Sequence, residues 1–183
     1  LKDIKRFARL SMEVEVKFKV EDFEEIKKKL AEVGKFVIEK VEEDLYFNSP
    51  WRDFWRSDEA LRIRKDVEGV TLTYKGRKVD AETKTREEIK LKVNSFDKCR
   101  KILEKLGFKP VRWVKKRRRI YRVNEAVVCL DEVEGLGKFV EVEIESEDVK
   151  EAKKRVFEVA RNLGLKGESI RESYLEMLEK QEN

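Results

Sequence analysis

Histidine is absent from this 183-residue chain, which removes the commonest general base and the commonest metal ligand from any mechanism it could run. Cysteine is nearly as scarce. Cys99 and Cys129 are too few and too far apart for a disulfide framework or a metal knuckle. No apolar run approaches membrane-spanning length, and nothing at the N-terminus resembles a signal peptide, so the expected location is the cytoplasm. Gln181 is the only glutamine. With abundant Lys, Arg and Glu, that shortage suggests a thermophilic source.

What is present is charge. Charged residues make up 45% of the chain, far above the usual quarter, and 44 basic against 39 acidic residues leave it mildly cationic, with a pI near 9.0. Periodic apolar positions run throughout and argue against disorder. The length suits one domain with an ample core. Residues 1–11 do not fit the pattern that starts at Met12 and read as a leader or tag-like extension, leaving 12–183 as a single domain.

From Met12 one unit occurs three times: an alternating strand, then a helical stripe, then a glycine. The strands are Glu13 to Val20, Glu88 to Val93 and Phe139 to Glu145. The helical segments are Asp22 to Val33, Phe96 to Leu106 and Val149 to Leu163, stopped by Gly34, Gly107 and Gly164. Asn94 or Ser95 suits the cap of the second helix and Ser146 that of the third. Leu61 to Lys65 with Val70 to Lys75, and Val114 to Val123 with Val127 to Val133, read as hairpins. With Val37 to Phe47 the count reaches about eight strands, enough to close a barrel and remove its edges. A last helix is expected over Ile170 to Leu178. The fold class is therefore α+β: a closed antiparallel barrel or tunnel of about eight strands, helices packed outside.

Successive strand residues point to opposite faces. Glu13, Glu15 and Lys17 share one face, opposite Val14, Val16 and Phe18. The same holds for Arg62 and Arg64, for Thr71, Thr73 and Lys75, for Arg86, Glu88 and Lys90, and for Glu141 and Glu143. Parity alone does not choose a face in the basic run Lys115 to Arg119. The helices' apolar stripes need the strands' apolar faces, so the charged faces should line the inside. Burying each ion costs several kcal/mol, so such an interior must be wet or filled by something charged. Cations beside clustered carboxylates suit a polyphosphate carrying Mg²⁺ or Mn²⁺, both of which prefer hard oxygen ligands.

These residues resemble the CYTH superfamily, the triphosphate tunnel metalloenzymes. Glu13, Glu15 and Lys17 match its Glu-x-Glu-x-Lys signature, and Lys116, Arg118 and Tyr121 its Lys-x-Arg-x-x-Tyr. Asp44 to Phe47, Asp53-Phe54, Asp58 to Arg64, Thr73 to Gly76, Arg86 to Glu88, Leu130 to Gly137 and Val140 to Glu143 follow in the family's order. The resemblance implies that Lys17, Arg62, Arg64, Lys75, Lys116 and Arg118 bind a triphosphate, and strand parity adds Arg86 to that set. It implies that Glu13, Glu15, Glu141 and Glu143 hold Mg²⁺ or Mn²⁺. Glu88 and Asp131 would serve as ligands or orient them; with Lys17 they are the candidate catalytic groups. Lys90 departs from related sequences, which often carry an acid there. Tyr121 reads as packing.

Two reactions suit such a tunnel: attack of water on a terminal phosphorus, and attack of a ribose 3′-hydroxyl on the α-phosphorus of ATP. The stretches Asp53 to Arg64 and Leu130 to Gly137 look closest to class IV adenylyl cyclases, which implies conversion of ATP to cyclic AMP and pyrophosphate. Inorganic tripolyphosphatase or thiamine triphosphatase activity is the alternative. A cyclase needs an adenosine pocket, and Phe47, Trp51, Phe54 and Trp55 are candidates, though they suit a packed or mobile cover better. A different class, RNA binding, would use the basic run Lys115 to Arg119 flanked by Trp113 and Tyr121, and a non-catalytic polyphosphate-binding module is the remaining alternative. The expected partner is a nucleoside or inorganic triphosphate, with no membrane and a homodimer as an option.

Overall fold

The protein's structure, a computed structural model, describes residues 11–182. The expected leader falls, apart from Ser11, outside the described residues. Eight strands form: β1 (Met12–Val20), β2 (Lys35–Asn48), β3 (Ala60–Asp66), β4 (Gly69–Lys75), β5 (Arg86–Val93), β6 (Lys109–Val123), β7 (Ala126–Val133) and β8 (Gly137–Ser146). They close into an antiparallel barrel in the order β1-β5-β4-β3-β2-β6-β7-β8. Among the described residues five helices accompany them: α1 (Glu24–Val33), α2 (Phe54–Ser57), α3 (Phe96–Lys105), α4 (Val149–Asn162) and α5 (Tyr174–Glu182).

Alternation sets the faces as expected. Val14, Val16, Val140 and Val142 point outward and pack beneath Ile26 and Leu30 of α1 and Ala152, Val156 and Ala160 of α4. Each such valine or leucine contributes roughly 1.5–3 kcal/mol on burial. A second cluster sits on inward-facing positions at one end of the barrel, where Val114, Val133 and Phe139 meet Tyr174, Leu175 and Leu178 of α5, and a third, outer cluster seats α2 and α3 on Leu45, Phe47, Leu61 and Ile63. Two of the three clusters thus lie between barrel and helices, and the other plugs one end of the barrel, leaving the rest of the interior mainly to charge. One wall departs from expectation: Ile89 and Leu91 on the outside of β5 are exposed, because no helix among the described residues packs closely over that strand.

Local chemistry fixes the element ends. The β3–β4 turn places Gly69 at φ +118°, with the Asp66 carboxylate accepting from the Glu68 amide at 2.8 Å. Ser95 caps α3 by accepting from the Lys98 amide. Ser146 does not cap α4: Asp148 does, accepting from the Glu151 amide, while Ser146 Oγ accepts from the Asp148 amide just ahead of the helix.

The last helix begins at Tyr174 instead of Ile170, because the chain ahead of it is held extended across one end of the barrel. The Ile170 amide donates to the Lys17 carbonyl at 2.8 Å, and the Lys17 amide donates to Ser169 Oγ at 3.1 Å. At the other end, near the β3–β4 turn, Glu68, Lys90 and Lys92 are exposed. The barrel therefore has a strapped end and an accessible mouth.

Candidate active site

Inside the barrel lies a cavity of about 280 Å³, lined by eleven Lys and Arg side chains against eight carboxylates. That excess of cations suits a polyanionic occupant. Glu13, Glu15, Lys17, Arg62, Arg64, Lys75, Arg86, Glu88, Lys116, Arg118, Glu141 and Glu143 all line it. The face left open in the basic run resolves cleanly: Lys116 and Arg118 point in. Lys115, Arg117 and Arg119 point out, where Lys115 pairs with Glu43 at 3.6 Å and Arg119 with Glu39 at 2.8 Å.

The register of β1 and β8 builds the acidic corner. Glu13 lies next to Glu145 and Glu15 next to Glu143 across the ladder, and carboxylate oxygens of Glu13, Glu15 and Glu143 lie within 4.8 Å of one another. Burial and the neighbouring Glu13 push the Glu143 carboxyl up to about 8. Glu15 is shifted upward too, by burial and Glu141, although Lys84 Nζ reaches it at 2.7 Å. Three acidic oxygen donors crowded this closely, with insufficient compensating cation, fit Mg²⁺ or Mn²⁺. Glu141, expected in the same set, is turned to the cations: Lys17 Nζ at 3.2 Å and Arg118 Nη2 at 2.5 Å.

The raised Glu143 group makes a prediction about protons. Its folded value lies above the usual 4.5, so the proton it holds stabilises the metal-free fold fully below about pH 4.5. That stability is lost as pH climbs to about 8. A cation must displace the proton. Mn²⁺ affinity should therefore rise up to about tenfold per pH unit below 8 and level off above. Calorimetry at pH 7 in two buffers of different ionisation enthalpy should register close to one proton released.

The strapped end is a dense ionic network. Asp131, fully buried, accepts from Arg118 Nε at 2.7 Å and Nη2 at 2.5 Å and from the Tyr174 hydroxyl at 2.8 Å. It is not among the residues lining the cavity, and its side-chain contacts are with Arg118 and Tyr174. Lys17 lies under the strap, donating to the Glu172 carbonyl at 3.0 Å with its ammonium 3.8 Å from the Tyr174 ring centre. Burial and the nearby Lys84 lower it to about 7. Glu88 is held well below the usual carboxylate range: burial works against ionisation, but Lys75, Lys90 and Arg62 outweigh it. Lys90, half exposed, bridges Glu13 at 3.0 Å and Glu88 at 3.2 Å.

Two guanidiniums are left over. The Arg86 side chain is buried and has no hydrogen bond or ion pair among the described residues. Arg62 Nε is buried without a partner even though Nη1 reaches Asp44 at 3.0 Å. An unpaired buried cation costs several kcal/mol. Both side chains line the cavity, where an anion would satisfy them.

Sequence reasoning missed a second set. Lys40, Glu42, Asp44 and Tyr46 alternate along β2 and line or border the same cavity. Asp44 clamps Arg64 through Nε at 2.6 Å and Nη2 at 2.7 Å, and Glu42 takes Lys116 at 3.0 Å. Burial would raise both acids, but Lys116, Arg64 and Arg62 or Arg118 hold them low. The i, i+2 signal was present there. Lys84 carried none: it sits in the loop before β5, fixed where Asp80 accepts from the Thr83 amide and from Lys153 of α4. The four aromatics split. Phe47 and Phe54 are core, Trp51 is exposed and edge-on to Phe108, and Trp55 borders a space of about 40 Å³ near the strapped end.

Comparison with known proteins places this geometry. The CYTH domain pattern matches residues 11–174. The chain belongs to the CYTH domain family. A Methanocaldococcus jannaschii protein named as a candidate adenylate cyclase is 43% identical over 171 residues, covering 91% of this chain and 98% of its own length. The Aeromonas hydrophila adenylate cyclase CyaB is 30% identical over 160 residues, covering 84% and 81%. A solved Pyrococcus horikoshii structure superposes with a TM-score of 0.84 at 42% identity, covering 92% of this chain and 99% of that one. The CYTH fold is therefore shared over nearly the whole chain.

Proposed function

We propose that the protein is a metal-dependent enzyme that draws a triphosphate into its barrel, and that its reaction is the adenylate cyclase one: ATP to cyclic AMP and pyrophosphate. The observation that carries triphosphate binding is the pair of buried, incompletely satisfied guanidiniums, Arg62 and Arg86, facing a cavity with a surplus of cations. The names of the two relatives above support the cyclase choice.

In this reading Arg62, Arg64, Lys75, Arg86, Lys116 and Arg118 hold the non-bridging oxygens, the arginines as forks and the lysines as point charges. Lys84 joins them. Glu13, Glu15 and Glu143 hold Mg²⁺ or Mn²⁺, and Glu141 keeps Lys17 and Arg118 in place beside them. Such an ion neutralises developing charge on phosphate oxygens and makes a nearby hydroxyl more acidic. The remaining chemistry is positioning, on which phosphoryl transfer mostly relies. Lys17, with its ammonium near neutrality, is the group able to hand a proton to departing pyrophosphate. The outward basic residues, already matched by Glu39 and Glu43, make a poor nucleic-acid surface.

The test is to incubate the protein with Mg²⁺ or Mn²⁺ and, separately, ATP, tripolyphosphate and thiamine triphosphate. Cyclic AMP with stoichiometric pyrophosphate is expected from ATP. Orthophosphate alone would replace the cyclase with a phosphohydrolase, and no product from any of the three would overturn the enzymatic reading.

A further inference from the structure

At the accessible mouth the charged lining gives way to an apolar strip, separate from the Tyr46, Ala60 and Tyr174 surface at the strapped end. Along β6 the inward positions run Lys116, Arg118, Ile120, and along β7 the cavity is lined by Val127 and Cys129. Ile120 lies directly across the ladder from Cys129, and Val127 across from Glu143. These three apolar side chains form one continuous strip at the accessible mouth, in a cavity whose other walls there carry Thr71, Lys90 and Lys92. Ile120 and Val127 are only half-buried, so the strip keeps apolar surface facing a mouth whose other walls are polar or charged. Hydrated apolar surface is unfavourable, and a chain of phosphates gives it nothing to contact. A ligand that is anionic at one end and apolar at the other uses both walls.

We propose that Ile120, Val127 and Cys129 form the subsite for the heterocyclic base of an organic triphosphate, so that the barrel selects a nucleoside triphosphate over inorganic tripolyphosphate. This rests on the triphosphate reading above and deepens it. The base enters last and lies against the β6–β7 wall, while the phosphate chain runs inward toward Arg62, Arg86 and Lys17. The phosphate nearest the nucleoside then lies beside Glu143, Val127's ladder neighbour. That is the phosphorus a cyclase attacks. The aromatic cluster around Trp55 lies toward the strapped end and takes no part.

The proposal is tested by calorimetric binding in Mg²⁺ of three ligands: ATP, ribose 5-triphosphate and tripolyphosphate. In the unaltered protein ATP should bind at least about tenfold more tightly than the two ligands lacking a base. In the Ile120→Ala, Val127→Ala double variant that advantage should collapse to within about threefold, with tripolyphosphate affinity changed less than about twofold. Equal affinity of the unaltered protein for ATP and ribose 5-triphosphate would overturn the subsite, and this arm does not depend on how the variant folds. So would a double variant that weakens all three ligands alike or retains full preference for ATP. If none of the three ligands binds the unaltered protein, the triphosphate reading itself falls, a failure distinct from that of the subsite.

Discussion

Glu13→Gln, and separately Glu15→Gln, should lower metal-dependent turnover by at least about a hundredfold while leaving the barrel folded. Glutamine is nearly isosteric, so packing is kept. In Glu13→Gln the new amide oxygen can still accept from Lys90, whose ammonium sits 3.0 Å from Glu13 Oε2. The change removes one hard anionic donor from a group of three. A second readout separates loss of a ligand from general damage. Glu13 is a main reason, after burial, that the Glu143 carboxyl is raised to about 8. In Glu13→Gln that carboxyl should titrate measurably lower, seen by carbon-detected NMR of the metal-free protein. Full activity in both variants would refute the three-carboxylate assignment.

Asp131→Ala should produce the largest loss of stability of any single change in the barrel interior. Asp131 has no exposed surface and satisfies three donors at once: two on Arg118 and the Tyr174 hydroxyl. Removing it leaves a buried guanidinium short of charge and a buried hydroxyl without its acceptor, a cost of roughly 3–5 kcal/mol. For a domain of this size that is about 10 °C in Tm. Because Tyr174 opens α5, the strap should loosen as well, with faster amide exchange at Ile170 and at the start of the helix. Asp131→Asn keeps an acceptor and should lose less than half as much. A Tm within about 2 °C of the parent in the alanine variant would show that Arg118 finds full compensation in Glu141 and Glu42, and Asp131 would then not be its positioning partner.

Much of this was legible before the fold was known, for a simple reason. A strand's two-residue period is rigid, so once Val14 and Val16 are assigned to a helix-covered face, Glu13, Glu15 and Lys17 have only one place to go. The same logic placed Arg62, Arg64, Glu88 and Glu143. It failed where the period carried no information or was not followed. Glu42 and Asp44 alternate as cleanly as Glu13 and Glu15, and only their acidity hid them, since an anion site does not obviously need acids that grip Arg64 and Lys116. Lys84 belongs to a loop positioned by Asp80 and Lys153, contacts set by tertiary structure. Helix periodicity over Ile170 to Leu178 was real, but the Ile170 amide's bond to the Lys17 carbonyl and the Lys17 amide's bond to Ser169 Oγ outweigh local preference and delay the helix to Tyr174. Alternation also predicted that β5 would be covered. Its exposed Ile89 and Leu91 show that apolar patterning states a preference that no helix among the described residues meets on that strand.

The most direct test is a crystal structure grown with tripolyphosphate and Mn²⁺, read by the anomalous signal of manganese. A manganese peak among Glu13, Glu15 and Glu143, with phosphates on Arg62 and Arg86 inside the barrel, is the predicted result. Tripolyphosphate bound only to outward lysines and arginines, with no manganese at the three glutamates, would contradict it.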